Sequence, residues 1–208
     1  MRALTQATGA TQTPPAHVAE HALPPRAEGP ISLDALARTI ARAIPQNGIV
    51  VDESVTTGRA FFPATKGAAP HTWLNNCGGS IGYGMPAAIG AAIACTDRKV
   101  MSLTGDGSAM YTVQALWTMA RENLDITILI FANRSYQILR GELTNVGAGN
   151  PGPRAIDMLS LDRPDLDWVQ MSGSMGVEAC RVENCEDLEA ALDTGLSLPS
   201  PFLIQIDL

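Results

Sequence analysis

From residue 31 onward, the chain alternates between apolar residues at helical spacing and short runs of consecutive apolar residues. The helical spacing predicts helices at residues 33–44, 56–62, 85–94, 111–122, 135–143, 165–175 and 186–196. The apolar runs predict strands at residues 49–51, 73–74, 99–104, 126–132, 178–182 and 202–206. Strands that alternate with helices and are apolar on both faces are typical of a buried parallel sheet. The sequence therefore predicts an α/β fold: a doubly wound, mainly parallel sheet of about six strands with helices on both faces.

Three side chains have a predicted place in this pattern. Trp117 and Met119 lie in the helix at 111–122 and are expected in the core, as large apolar residues at helical spacing usually are. Glu53 follows the first strand and is interpreted as a residue at the strand end or on the rim of the fold.

The first 30 residues differ from the rest of the chain. They contain prolines at positions 14, 15, 24, 25 and 30 and show no apolar periodicity. We expect residues 1–30 to be a linker or disordered arm, and residues 31–208 to form one domain.

Composition excludes several functional classes. The 208 residues carry a net charge of −7, which argues against binding to nucleic acid or to a membrane surface. No run of 18 apolar residues and no secretory leader is present, so a cytoplasmic location is expected. The four cysteines form no Cys-x-x-Cys pair, which favours reduced thiols over a zinc site.

Candidate chemistry lies where the predicted strands end, because ligands of parallel sheets bind beyond the carboxyl ends of strands. Gly105-Asp106-Gly107-Ser108 follows one strand, and Asn133 follows the next strand, 27 residues after Asp106. Consecutive parallel strands usually lie side by side, so the two side chains can approach each other. A carboxylate beside a phosphate requires a cation between them, and Mg²⁺ suits these oxygen ligands. Taken alone, Gly-Asp-Gly is also typical of a plain turn in which Asp106 caps a helix.

Gly-Asp-Gly, about two dozen residues and then an asparagine at a strand end resemble the thiamine diphosphate motif. The segment from Asn76 to Gly90 (NCGGSIGYGMPAAIG) resembles the one that precedes this motif in acetolactate synthases and benzoylformate decarboxylases. The stretches Gly105–Tyr111 and Ala115–Thr118 are similar to the decarboxylase branch. The resemblance covers about residues 31–208 and implies the diphosphate-binding domain of that superfamily. A different nucleotide-binding domain is disfavoured, because neither Gly-x-x-x-x-Gly-Lys nor Gly-x-Gly-x-x-Gly after a first strand is present.

The resemblance implies a role for each matching residue. Metal ligands would be Asp106, the Asn133 side chain and the Ser135 carbonyl. Amides of Gly107 and Ser108 would bind the diphosphate, with Val55, Thr56 and Tyr136 beside it. Ile81 would lie under the thiazolium ring and bend the cofactor, and the Gly79 carbonyl would accept a hydrogen bond from the aminopyrimidine.

Two departures from the family pattern qualify the expected function. The usual Asn-Asn pair is Ala132-Asn133 in this chain. Complete enzymes of the family also have a pyrimidine-binding domain that supplies an activating glutamate, and residues 1–30 do not resemble it. The resemblance therefore implies half of an active site, with no catalytic residue in this chain and no activity of the chain alone. The other half would come from a homo-oligomer or from a pyrimidine-binding domain of another chain.

The function implied is binding of Mg²⁺ and thiamine diphosphate in an acetolactate synthase-like enzyme. Its substrate would be a small 2-oxo acid, which is decarboxylated or joined to a second carbonyl compound. Two alternatives stay open: a benzoylformate decarboxylase-like enzyme, and a catalytically silent cofactor-binding or assembly module.

Overall fold

The structure, a computed structural model, describes residues 6–9 and 20–208. In this part of the chain, six strands form one sheet in which every neighbouring pair is parallel. The strands are β1 (Ile49–Glu53), β2 (Thr72–Asn75), β3 (Val100–Gly105), β4 (Ile126–Ala132), β5 (Glu178–Val182) and β6 (Phe202–Asp207). Their order in the sheet is β2-β1-β3-β4-β6-β5, which confirms the predicted parallel α/β architecture.

Helices connect the strands. The α-helices are α1 (Leu33–Ala43), α2 (Phe61–Ala64), α3 (Gly84–Ala94), α4 (Asp106–Ala109), α5 (Ala115–Arg121), α6 (Gln137–Asn145), α7 (Pro153–Met158), α8 (Trp168–Ser174) and α9 (Cys185–Ser197). Single 3₁₀ turns span Thr57–Ala60, Thr65–Gly67 and Met110–Thr112. The helix predicted at 56–62 is therefore a 3₁₀ turn followed by α2, and the tight turn predicted at 105–108 is mostly helical, as α4. The helix predicted at 111–122 begins later, at Ala115, and α7 was not predicted.

The sheet separates two cores, because successive residues of a strand point to opposite faces. On one face, Leu36 and Ile40 of α1 and Leu192 of α9 pack against Leu103 and Phe131 of the central strands. The other face is covered by α3, α5 and α8, through the side chains of Met85, Met119 and Trp168. This arrangement explains why the central strands are apolar at most positions and buried on both faces.

Trp117 is an exception to the predicted core, and its assignment was wrong. Its side chain is 53% exposed, whereas Leu116 and Met119 are completely buried. Leu116 and Met119 already occupy the sheet-facing side of α5, so Trp117 projects to the outer side. There the Arg121 guanidinium lies 5.4 Å from the centre of the Trp117 ring.

The described part of the N-terminal arm lies against the domain. The Arg42 guanidinium donates to the Pro24 carbonyl oxygen at 2.9 Å, and the Gly29 amide donates to the Glu186 carboxylate at 2.9 Å. Residues 20–30 are thus held against the domain by hydrogen bonds, and their composition alone predicts a linker or disordered arm. Residues 1–5 and 10–19 lie outside the described residues.

No helix of the described residues is long and apolar enough to cross a membrane. All four cysteines are free thiols.

Candidate functional site

One cleft lies where the loops after β1, β3 and β4 meet. These strands are neighbours in the sheet, and Gly105 at the end of β3 pairs with Phe131 near the end of β4. The cleft gathers most of the predicted site residues: Val55, Thr56, Asp106, Gly107, Ser108, Asn133, Ser135 and Tyr136. The strand register therefore brings together residues that are up to 81 positions apart in the sequence (136 minus 55).

Asp106 lies at the centre of the cleft and is only 2% exposed. Its Oδ1 accepts a hydrogen bond from the Gly107 amide at 2.8 Å, and its Oδ2 accepts one from the Arg134 amide at 2.7 Å. Each oxygen retains a second lone pair, because a carboxylate can accept about four hydrogen bonds. The carboxylate is thus fixed in orientation and still able to bind a cation.

Burial raises the pKa of Asp106 to about 6, from 3.8, although the Arg134 and Gly107 amides and the Arg134 charge oppose the change. The Arg134 guanidinium does not neutralise Asp106 directly, since it forms ion pairs with Asp165 at 3.2 Å and Asp207 at 3.1 Å. No arginine or lysine is among the described residues that line the cleft, so the Arg134 charge acts only from outside it, and a divalent cation would stabilise the ionised carboxylate more strongly.

Asn133 begins the loop after β4, and its Oδ1 accepts a hydrogen bond from the Ser135 amide at 3.0 Å. This contact curls the chain around Arg134, whose φ of 53° lies in the left-handed region. Asparagine side chains often stabilise such turns by bonding to a backbone amide two residues on. The turn directs the Arg134 amide towards Asp106 and holds the asparagine oxygen at the same cleft.

Tyr136 closes the cleft beside Gly107. A Cβ added at Gly107 would lie 2.8 Å from two carbons of the Tyr136 ring, so only glycine fits at this position. Burial raises the pKa of the Tyr136 phenol, and the charges of Tyr111 and Asp106 raise it further. The ring and the glycine backbone thus form one wall of the cleft.

Gly79 and Ile81 lie apart from this cleft. Gly79 borders an adjoining hollow, which also contacts Val55, Glu53 and Phe62. Ile81 is 54% exposed and contacts neither cavity. Val55 borders both cavities and therefore connects the Gly79 side to the Asp106 side.

Glu53 is the last residue of β1, which confirms its predicted place at the strand end, but its burial and its partners were not predicted. It is 2% exposed, and its carboxylate accepts hydrogen bonds from the amides of Gly82 and Gly84. The two-residue strand period, which places Glu53 on the same face as the buried Val51, was the available signal.

The oxygen atoms at the cleft match the requirements of Mg²⁺. No cluster of three or more His, Cys, Asp or Glu side chains occurs in the described ranges, so the donors are one carboxylate, one amide oxygen and backbone carbonyls. Mg²⁺ commonly uses one or two carboxylates and completes its octahedron with water and phosphate oxygens. The set is therefore suited to a metal that also holds a phosphorylated ligand.

Residues 56–206 match the family model for the C-terminal TPP binding domain of thiamine pyrophosphate enzymes. The chain belongs to this family. This membership confirms the resemblance stated above.

The relatives of this chain include proteins named as acetolactate synthases and as benzoylformate decarboxylase. The Mycobacterium tuberculosis protein named "Putative acetolactate synthase large subunit IlvX" is 47% identical over 92% of this chain and 37% of its own length. Benzoylformate decarboxylase of Pseudomonas aeruginosa is 35% identical over 86% of this chain and 32% of its own length.

A solved structure agrees with these relatives. The thiamine diphosphate-dependent 4-hydroxybenzoylformate decarboxylase of Rhodococcus jostii has a TM-score of 0.73 and 30% identity over 94% of this chain and 35% of that chain. The chain thus spans about a third of the length of the proteins that it matches.

Proposed function

We propose that this chain binds Mg²⁺ and the diphosphate of thiamine diphosphate, as half of the active site of an acetolactate synthase-like enzyme acting on 2-oxo acids. The convergence of Asp106 and Asn133 on one cleft supports this proposal most directly. A buried carboxylate with a raised pKa and no neutralising guanidinium is a poor structural element alone, but it is a good ligand for a divalent cation.

Asp106, the Asn133 side-chain oxygen and the Ser135 carbonyl would hold the metal. Thr56 and the amides of Gly107 and Ser108 line the same cleft and would contact the diphosphate. In the structure the Gly107 amide already donates to Asp106, so this amide would be shared between the carboxylate and a phosphate oxygen.

The adjoining hollow beside Gly79 would receive the ring portion of the cofactor. The Gly79 carbonyl would accept a hydrogen bond from the aminopyrimidine, and Ile81 would support the thiazolium ring. Bound thiamine diphosphate supplies the carbon nucleophile and the electron sink for the decarboxylation of a 2-oxo acid. We expect the activating glutamate to come from a pyrimidine-binding domain, in the same polypeptide or in another one.

Titration calorimetry on the 208-residue chain tests the binding function. Thiamine diphosphate should bind in the presence of Mg²⁺ and fail to bind in EDTA. Asp106→Ala should abolish this binding, whereas the control Asp193→Asn, an exposed position on α9, should leave it unchanged. Unchanged affinity in Asp106→Ala would remove Asp106 from the site.

A second candidate is a benzoylformate decarboxylase-like activity, favoured by the 35% identity to that enzyme and by the structural likeness to a 4-hydroxybenzoylformate decarboxylase. Turnover assays with pyruvate and benzoylformate, with Mg²⁺ and thiamine diphosphate added, distinguish the two substrates. Turnover of either substrate by this chain alone would also eliminate the alternative of a silent binding or assembly module.

We also expect self-association, because apolar side chains stay exposed on the cofactor side of the fold. Val55, Ile81 and Tyr111 are 46%, 54% and 57% exposed. Large exposed apolar patches are unfavourable in a monomer. A monodisperse monomer in light scattering would count against this expectation.

A further inference from the structure

Glu53 links the cleft around Asp106 to the loop that carries Gly79 and Ile81. It is the last residue of β1 and stands two positions before Val55, which borders both cavities. Its Oε1 accepts a hydrogen bond from the Gly82 amide at 2.6 Å, and its Oε2 accepts one from the Gly84 amide at 2.5 Å. One buried carboxylate thus ties the end of β1 to a segment about 30 residues further along the chain.

Both hydrogen bonds to Glu53 come from backbone amides and not from a positively charged side chain. Within residues 20–208, no arginine or lysine lies within ion-pair distance of Glu53. Gly84 is the first residue of α3, where amides have no partner inside the helix. Glu53 therefore acts as a cap for α3 that is supplied from a different element.

The backbone from Gly82 to Gly84 is closely packed and hydrogen-bonded to neighbouring elements. A Cβ on Gly84 would lie 3.0 Å from the Cβ and Oε2 of Glu53 and from the Thr104 hydroxyl. The Thr112 hydroxyl donates to the Gly82 carbonyl at 2.9 Å, and the φ of Gly82 is 82°. The position of the Glu53 carboxylate consequently fixes the position of this backbone.

Hydrogen bonds within the loop shape the segment that precedes Gly82. The Asn76 side chain accepts from the Ser80 amide at 3.0 Å and donates to the Ser80 carbonyl at 2.8 Å. Gly79 lies inside the turn that these contacts close, Ile81 lies between that turn and the Gly82 amide held by Glu53, and both are exposed. The loop is thus closed internally by Asn76 and held to β1 by Glu53, and it presents Gly79 and Ile81 to solvent.

We propose that Glu53 is a positioning residue that sets the distance between the Gly79–Ile81 loop and the diphosphate cleft, and so selects ligands that carry rings beyond the diphosphate. This inference rests on the proposed function. It assigns Glu53 no contact with the reacting atoms.

Comparison of two ligands tests the assignment, because inorganic pyrophosphate needs only the cleft whereas thiamine diphosphate needs the loop as well. Calorimetry with Mg²⁺ would measure both ligands on the wild type, on Glu53→Gln and on the control Glu178→Gln, an exposed residue of β5. Glu53→Gln should weaken thiamine diphosphate by at least tenfold and pyrophosphate by less than twofold. The control should change neither affinity.

Two further measurements keep the test independent of misfolding. Gly84→Ala perturbs the same link from the loop side and should reproduce the selective loss. Hydrogen exchange without ligand should become faster at the amides of Gly82 and Gly84 in Glu53→Gln, while the amides of β4 stay protected.

Equal weakening of both ligands, or no weakening of either, would overturn the positioning role. If the wild type bound neither ligand, the proposed function itself would fail. That failure would be visible before any variant is compared.

Discussion

Replacing Asp106 with asparagine should separate the stability of the fold from the function of the cleft. Asp106 is 2% exposed, and burial raises its pKa from 3.8 to about 6. A change of that size in a carboxyl pKa corresponds to about 3 kcal/mol against the ionised form. Asparagine has nearly the same shape and carries no charge, so it removes this penalty.

The net gain is smaller than the full penalty, because one of the two amides that face Asp106 would meet the NH₂ group of asparagine. A mispaired buried donor costs about 1–3 kcal/mol, and part of this cost can be relieved by small rotations. We therefore expect Asp106→Asn to raise the free energy of unfolding by about 1–2 kcal/mol at neutral pH without ligand. The same variant should lose Mg²⁺-dependent binding of thiamine diphosphate.

The stability difference between Asp106→Asn and the wild type should increase with pH. The folded protein holds a proton on Asp106 more tightly than the unfolded chain does, because the folded pKa is the higher one. Wild-type stability from this group therefore decreases as the pH rises from about 4 to about 6, and the full penalty applies above that window. The advantage of Asp106→Asn should accordingly be largest near pH 7.5 and should be lost or reversed near about pH 4, where the mispaired donor remains and most of the charge penalty is gone.

Urea unfolding in EDTA, followed by circular dichroism at both pH values, measures this difference. Asp193→Asn controls for the loss of an exposed carboxylate on α9. The reasoning is refuted if Asp106→Asn is less stable than the wild type at neutral pH, or if its advantage is the same at both pH values.

Three other variants test separate features. Gly107→Ala should weaken Mg²⁺–thiamine diphosphate binding by more than about tenfold in a calorimetric titration, because its Cβ would lie 2.8 Å from the Tyr136 ring. The control Gly105→Ala should bind normally, because a Cβ at Gly105 meets open space and the φ there is −70°. Arg134→Gly should keep the affinity within about threefold, because the backbone amide that donates to the Asp106 carboxylate remains and glycine accepts a φ of 53°. A larger loss would give the guanidinium a direct role. Leu129→Ala, at a completely buried position of the central strand, should lower the free energy of unfolding by about 2–5 kcal/mol in urea titration, and a loss below about 1 kcal/mol would contradict the assigned core.

The sheet was predictable because its strands are buried on both faces. The run Ile126–Ala132 is apolar at nearly every position, and the structure buries all seven residues. Turn chemistry was harder to predict. Gly105-Asp106-Gly107-Ser108 has the composition of a turn, but residues 106–109 form the short helix α4 directly after β3.

The hydrogen-bond partners of Glu53 could not have been predicted from the sequence. Its partners are backbone amides of Gly82 and Gly84, and any residue carries such an amide. The core position predicted for Trp117 was wrong for a different reason. Helical spacing identifies which residues share a face, but it does not say how wide the buried stripe is, and Leu116 and Met119 already fill it.

The register between β3 and β4 fixes the relative positions of Asp106 and Asn133 at the cleft. Asp106 directly follows Gly105, which is matched to Phe131 by the ladder of the two strands, and Asn133 stands two places beyond Phe131. Extra residues in the surface turn at 122–125 would lengthen the connection without moving either end. One residue inserted within either strand would instead turn that strand's end to the opposite side of the sheet. A change in the length of this surface turn is thus tolerable for the cleft, and a change in the length of either strand is not.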